Sequence, residues 1–370
     1  MKFILEEKIG NKEAVCFIVI AVLNGLVLNT NKIIIKNCGS SSLINSIFVC
    51  IIALIIVFLM CKLVKKFPSS DILDISKYLG GKFLQFIVGI LYIGYFGFIT
   101  AILLRKMSDC LQIIFYPMTD LIFIVLLFTI AAGIASRLGK AGVFKSSLII
   151  FPVIAVILIL VFLGNAKNFD LYNIYPILGN GIDSTFISGA TNLVAFMGSS
   201  YLYFLPTYLS NPEKFKKISV ISMIIASLFF ILITATVLFM YSTTLSNSEL
   251  FPLYIAVRYI EFGTFIQRMD STFLLISTLA FISYLSINTT ICTNILKKIA
   301  NLSDNKPIIY PYLLCIFSVA VLIRNNPNLE FLENFVFKIL FFAIPICISF
   351  SILVLANIKK LLQFTVKTVE

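Results

Sequence analysis

The sequence predicts an all-α polytopic membrane protein of about ten transmembrane helices, and three observations carry that class. Hydrophobic residues make up 60% of the 370-residue chain, mean hydropathy is +1.04, and only 12% of residues are charged. The apolar residues are gathered in runs near the ~20 residues that a bilayer span requires. The basic residues then sort by side: with the N-terminus inside, 20 of the 29 fall in inside segments. That asymmetry is the positive-inside pattern of a chain with both termini cytoplasmic and an even number of spans.

The runs fall at 13–35, 43–63, 83–106, 113–135, 142–163, 186–206, 218–241, 271–296, 308–323 and 334–357, the ninth being short. Ser69–Leu79 has an N-cap pattern and apolar residues at helical spacing, and reads as an interfacial helix. Phe251–Phe265 reads similarly. The N-terminal MKFILEEKIGNKE mixes acids and bases and has no apolar core before a cleavage site, so the first span is expected to be retained. We read 1–370 as a single membrane domain, 13–163 being a first five-helix repeat and 186–357 a second. A repeat with an odd number of spans must insert its second copy upside down, which is the inverted five-plus-five plan of many transporters.

Composition narrows the chemistry. The chain has no histidine, which removes imidazole metal sites, His-based triads and His proton relays. The eight cysteines are scattered through apolar runs without a CxxC, and read as small core hydrophobes. The net charge of +12 sits between apolar spans and not in an aromatic-interleaved basic run, so it points to the lipid bilayer and away from nucleic acid. Acid, base, nucleophile and metal set are not gathered anywhere, so a non-enzymatic protein without cofactor or metal is expected.

Two spans are poor helix material. The sixth, FISGATNLVAFMGSSYLYFLP, has Gly198, Ser199 and Ser200 at its middle, beside Met197. The first, AVCFIVIAVLNGLVLNTNKIII, is interrupted at Asn24-Gly25 and again at Asn29-Thr30-Asn31. Unpaired backbone is tolerated in a membrane only where protein buries it or a wet cavity faces it. Interruptions at corresponding places in two halves therefore point to a midplane solute site. The competing reading is continuous helices that use Gly and Ser for close packing. Other polar handles surround this pair. Tyr92, Tyr95, Ile99 and Thr100 lie along the third span and could flank a solute. Ser283, Ser286 and Thr290 share a face of the eighth, where they either offer oxygens to Na⁺ or pack between helices. Lys145, early in the fifth, either replaces such a cation or snorkels to the interface. The candidate ligand set is thus Asn24, Gly25, Tyr92, Tyr95, Ile99, Met197, Gly198, Ser199, Ser283 and Ser286.

The run Phe251–Asp270, FPLYIAVRYIEFGTFIQRMD, adds a family resemblance, with PILGNGI (Pro176–Ile182), NPEKFKK (Asn211–Lys217) and Arg137 as accompanying features. Together they resemble the B subunit of bacterial spore germinant receptors, the GerAB type of endospore permease, in the amino acid–polyamine–organocation superfamily. Gln267 stands where that family usually has Glu, with Arg268 and Asp270 kept. The resemblance implies ten spans with broken helices 1 and 6 and residence in the inner membrane of a dormant spore. It also implies work with an A subunit and a lipoprotein C subunit in sensing a small-molecule germinant, typically an amino acid. Arg258, Glu261, Arg268 and Asp270 are then expected to be structural or to touch a partner subunit. A Na⁺- or H⁺-coupled amino-acid permease and a scaffold subunit with a vestigial pocket stay open beside the sensing role.

Overall fold

The computed structural model describes residues 8–241, 251–260, 269–323 and 331–367. Glu261 and Arg268 lie outside the described residues. Seven helices among the described residues are long and apolar enough to cross a membrane, and two shorter apolar helices, Leu121–Arg137 and Lys306–Leu322, occupy the fourth and ninth predicted spans. The sixth predicted span is helical too, but it is not an α-helix. It runs as a π-helix over Asp183–Ile187 and as 3₁₀ helix over Ser188–Tyr203.

Three spans depart from the α pattern. The first is α-helical over Asn11–Gly25, widens into a π-helix over Leu26–Thr30, and resumes as an α-helix over Asn31–Cys38. The break expected at Asn24-Gly25 is thus a wide turn that starts directly after Gly25. The side-chain amide of Asn24 donates to the Ile20 carbonyl at 3.0 Å, the local side-chain bonding that competes with regular helix. In the sixth span the expected interruption at Gly198–Ser200 begins earlier, at Phe196, whose φ of −95° and ψ of 22° leave helical values. That kink divides the 3₁₀ stretch in two, and each part is still longer than the three or four residues such helices usually reach. The tenth span carries a departure that the apolar run concealed. Pro345 lacks the N–H an α-helix needs, and the chain is π-helical over Leu332–Phe337 and again over Phe342–Ile348.

The first and sixth spans meet with almost no space between them. A Cβ built on Gly198 would lie 2.6 to 2.7 Å from backbone atoms of Ala21 and Val22. Glycine is what allows the two main chains to approach this closely.

Both ends of this pair are tied. At the lysine-rich end Ile9 forms a parallel bridge with Leu209, its N–H donating to the Tyr208 carbonyl at 2.8 Å. At the opposite end the Pro176–Ile182 segment folds onto the turn between the first two spans. Gly179 sits at φ +50° against the Cys38 carbonyl and the Ser41 backbone N–H. Asn45 donates to the Thr185 carbonyl and accepts from Asn192, each at 2.8 Å, and Ser41 and Thr185 hydroxyls meet at 2.7 Å. This polar knot closes that end of the bundle.

The stretch expected to be interfacial, Ser69–Leu79, starts its helix at Ile72, capped by Asp71, whose carboxylate accepts from the Asp74 N–H at 2.9 Å. It turns into the third span at Gly80-Gly81, where Gly81 holds a φ of +71°. Lys298, near the end of the eighth span, lies 2.8 Å from Asp71 and 2.7 Å from Asp74, and Lys359 of the last helix donates to the Tyr78 and Leu79 carbonyls. The short helix is therefore pinned at both ends. The second expected interfacial stretch is helical over Pro252–Arg258.

Gly179→Ala places a Cβ into the Cys38 carbonyl from a left-handed backbone that itself costs a side chain roughly 1–2 kcal/mol. We expect a melting temperature several degrees lower in detergent. Gly94→Ala, which meets nothing within 4 Å, is expected to leave it unchanged or slightly raised.

Candidate functional site

Where the first and sixth spans leave the α pattern, Gly25 faces Met197. A Cβ on Gly25 would lie 2.6 Å from the Met197 terminal methyl, so the side chain of Met197 fills the space that the glycine leaves. Tyr95 of the third span closes a second side. Its hydroxyl is 2.9 Å from Ser200 Oγ and 3.4 Å from the Met197 carbonyl, one of the groups that a broken helix must re-pair. Ser199, between buried neighbours, is half-buried, and Ile99 is buried.

The structure thus brings Gly25, Tyr95, Met197 and the Gly198–Ser200 turn together, with Asn24 beside them but tied to its own helix. Gly198 itself faces the first span's backbone, so its missing side chain makes room for a helix and not for a solute. Tyr92 points elsewhere: its hydroxyl bonds to Ser349 on the tenth span, which donates to the Ile344 carbonyl beside Pro345. Ser283 pairs with Ser146 at 2.8 Å and Ser147 at 3.3 Å on the fifth span. Ser286 donates to Ile282, and its carbonyl accepts from Ser136 at 3.1 Å and Thr290 at 2.9 Å. That face of the eighth span packs on the fifth by hydroxyl pairs and on the fourth by a hydroxyl-to-carbonyl bond. Lys145 is exposed, in keeping with an interfacial lysine.

A polar network next to this pair escaped the sequence reading. Tyr201 donates to Asn288 Oδ1 at 2.8 Å and lies 3.2 Å from the Tyr284 hydroxyl. Asn288 donates to Tyr312 at 3.1 Å, and Thr100 meets Tyr284 at 3.3 Å. All of these groups are buried. The legible signal was Tyr284 and Asn288 at i, i+4 on one helix face. Phe96 stacks on Tyr201 with centroids 4.3 Å apart and planes within 2°.

A cavity of about 710 Å³ lies at the lysine-rich end, lined by Lys8, Asp71, Lys140, Asn294, Lys297 and Lys298 among others. Phe204 lines it as well, and the same ring packs edge-on to Tyr92 at 4.8 Å and to Phe96 at 5.7 Å. Phe204, Phe96 and Tyr201 thus form one aromatic cluster that reaches from the cavity wall into the polar network.

The signature run splits in its roles. Asp270 is buried at 6% exposure and accepts from Tyr254 at 3.2 Å, so it holds Pro252–Arg258 onto the eighth span. Burial and the Asp270 carboxylate push the Tyr254 hydroxyl up to about 12, which keeps it a donor near neutral pH. Arg258 is exposed.

A bundle of apolar helices whose first and sixth members pair at non-α segments defines a transporter-like membrane protein. Solved structures agree. The chain resembles a Na⁺-coupled sialic acid symporter in a substrate-bound, outward-open state, with a TM-score of 0.62 and 12% identity over 91% of this chain and 79% of that one. It also resembles Mhp1, a nucleobase-cation-symport-1 family transporter, in a closed conformation with bromovinylhydantoin bound (TM-score 0.56, 14% identity, 85% of this chain and 71% of that one). At such identities the likeness speaks for the fold alone. The sequence matches the spore germination protein family over residues 8–330, and the chain belongs to that family. It is similar to spore germination protein KB of Bacillus subtilis (strain 168), 25% identical over 288 residues and 75% of each chain. Spore germination protein A2 of the same organism is 24% identical over 249 residues, 67% of this chain and 68% of its own. The family resemblance carried by Phe251–Asp270 is thereby established, and the chain is a multi-pass membrane protein of the germinant-receptor permease type.

Tyr201→Phe leaves the buried Asn288 carbonyl oxygen with only the weak Cys292 thiol donor, a loss of roughly 1–3 kcal/mol for an under-satisfied buried group. We expect a lower melting temperature in detergent, with Asn288→Leu and Tyr312→Phe added to Tyr201→Phe recovering part of it, because the bonded polar groups then leave together.

Proposed function

We propose that this chain is the B-type subunit of a spore germinant receptor and binds a small nutrient germinant, an amino acid, between its first and sixth spans, triggering germination. The observation that carries the reading is the meeting of the Leu26–Thr30 π turn and the Phe196 departure across the Gly25–Met197 contact. Backbone groups at a paired helix irregularity would serve as ligands for an α-amino and α-carboxyl group once the Gly25–Met197 contact opens. Asn24, Gly25, Tyr95, Ile99, Met197 and Ser199 would surround the solute, Met197 swinging aside to admit it. Gly198 would serve as the close-packed pivot beside them. Tyr92, Ser283 and Ser286 would support that wall from behind, through their bonds to the tenth, fifth and fourth spans.

The rest of the reading follows the family. The two halves, 13–163 and 186–357, would be inverted repeats, both termini would face the spore core, and the membrane would be the spore inner membrane. An A subunit and a lipoprotein C subunit would be its partners, with exposed Arg258 as one contact. Sensing is favoured over proton-coupled pumping because the first, third, sixth and eighth spans carry no mid-membrane carboxylate or histidine.

The likeness to symporters supports a second reading, a Na⁺- or H⁺-coupled amino-acid permease. Purified protein in liposomes would then accumulate an amino acid against its gradient when Na⁺ or pH gradients are imposed, and the sensing reading predicts no accumulation.

Gly25→Ala is the cleaner probe of the pocket, since its neighbour is the end of a flexible methionine, whereas any side chain at Gly198 meets backbone. One methyl group in a fitted pocket changes binding by about 10- to 200-fold. We expect Gly25→Ala spores, with normal protein levels, to need at least about tenfold more germinant. An unchanged response at normal protein levels would refute the pocket and leave the scaffold reading.

A further inference from the structure

A second cavity, about 740 Å³, lies at the lysine-rich end between the foot of the second span (Ser42–Val64) and the start of the seventh (Phe215–Met240). It is remote in character from the first: apolar rings floor it and lysines rim it. Phe58 and Phe215 are in its lining, and Lys62, Lys65 and Lys216 stand around it. All three lysines are exposed, and Lys216 Nζ lies 4.5 Å from the centre of the Phe58 ring. Against them the lining carries one carboxylate from Glu213.

We infer that this cavity is a binding site for an anionic phospholipid, whose phosphate sits among Lys62, Lys65 and Lys216 and whose acyl chains run down the second and seventh spans. The wall below the cavity is suited to that. Ile51, Ile55 and Phe58 of the second span and Ile221, Ile224 and Leu228 of the seventh are all exposed large hydrophobics. These two helices pack along each other, so the exposed residues flank one seam that leads away from the lysines. The seventh span also begins here, and the amide groups of its first turn carry the partial positive charge of a helix N-terminus. A free phosphate would find the lysines but not use the apolar floor. A zwitterionic lipid would use the floor but add a cation beside three lysines. Basic pockets between spans at a membrane face suit anionic headgroups, each lysine being worth ~1 kcal/mol near such a surface.

The inference depends on membrane embedding alone and not on germinant recognition, so either can fail without the other. It is tested on the full-length protein, purified and delipidated in a neutral detergent, by native mass spectrometry and melting temperature. Phosphatidylglycerol, phosphatidylcholine with the same acyl chains, and inorganic phosphate are titrated separately. We expect phosphatidylglycerol to be retained and to raise the melting temperature. The triple variant Lys62→Gln, Lys65→Gln, Lys216→Gln should bind it no better than phosphatidylcholine. Lys8→Gln with Lys297→Gln, in the other cavity, should retain it. Equal retention of phosphatidylcholine, an unaffected triple variant, or loss only in the Lys8 and Lys297 variant each overturns the site. Displacement of the lipid by millimolar phosphate would replace it with a free-anion site and overturn the lipid assignment. Should the triple variant not fold, Lys62→Gln with Lys65→Gln carries the same expectation, at roughly fivefold weakening per lysine removed.

Discussion

A helix inside hydrocarbon cannot leave the α pattern without finding new partners for the backbone groups it releases, because the solvent offers none. Much of this bundle's interior is organised by that constraint. Its departures lie at Leu26–Thr30, Asp183–Tyr203 and around Pro345, and polar side chains are drawn to each. Asn24 takes a carbonyl of its own helix, Tyr95 reaches the Met197 carbonyl, and Ser349 takes the Ile344 carbonyl. Tyr203 donates from the sixth span to the Pro345 carbonyl at 2.7 Å, so two irregular spans repair each other directly. The buried tyrosines are therefore structural donors first, and whatever binds near them must compete with or extend those bonds.

The two ends of the bundle are held by different forces. Short neutral hydrogen bonds among Asn, Ser and Thr close the end near Gly179, where left-handed glycines let the segment lie on the first hairpin. Ion pairs and lysine-to-carbonyl bonds hold the other end, around the short helix that begins at Ile72. The Asp71 carboxylate is buried, so its pair with Lys298 is only partly screened, and the knot is dry with many partners.

Transporter architecture and a germination family are compatible for a physical reason. A paired break at the midplane makes a solute pocket whether or not the solute is then released on the other side. Pumping needs a second, ion-dependent equilibrium, and sensing needs only that the bound and empty states differ in shape. In the eighth span the Ser283 hydroxyl meets a hydroxyl of the fifth, whereas Ser286 and Thr290 donate to carbonyls of their own helix.

Much of the fold was legible because bilayer crossing is a property of local sequence. Run length, hydropathy and lysine placement set where spans fall, and Asn24-Gly25 and Gly198-Ser199-Ser200 marked two of the spans that do not stay α-helical, the tenth being concealed by its apolar run. The Phe251–Asp270 run pointed to the family without any coordinates. What the sequence could not rank was the partner of each polar side chain. Ser283 and Ser286 share a helix face, but that Ser283 meets Ser146 and that the Ser286 carbonyl accepts from Ser136 is set by tertiary packing alone. Gly198 is a break in the sequence and a contact in the fold, because its role depends on Ala21 and Val22, some 176 residues away. Local sequence determined where the helices would weaken; the approach of distant helices decided which side chains re-pair the groups released there, because those partners lie on other spans.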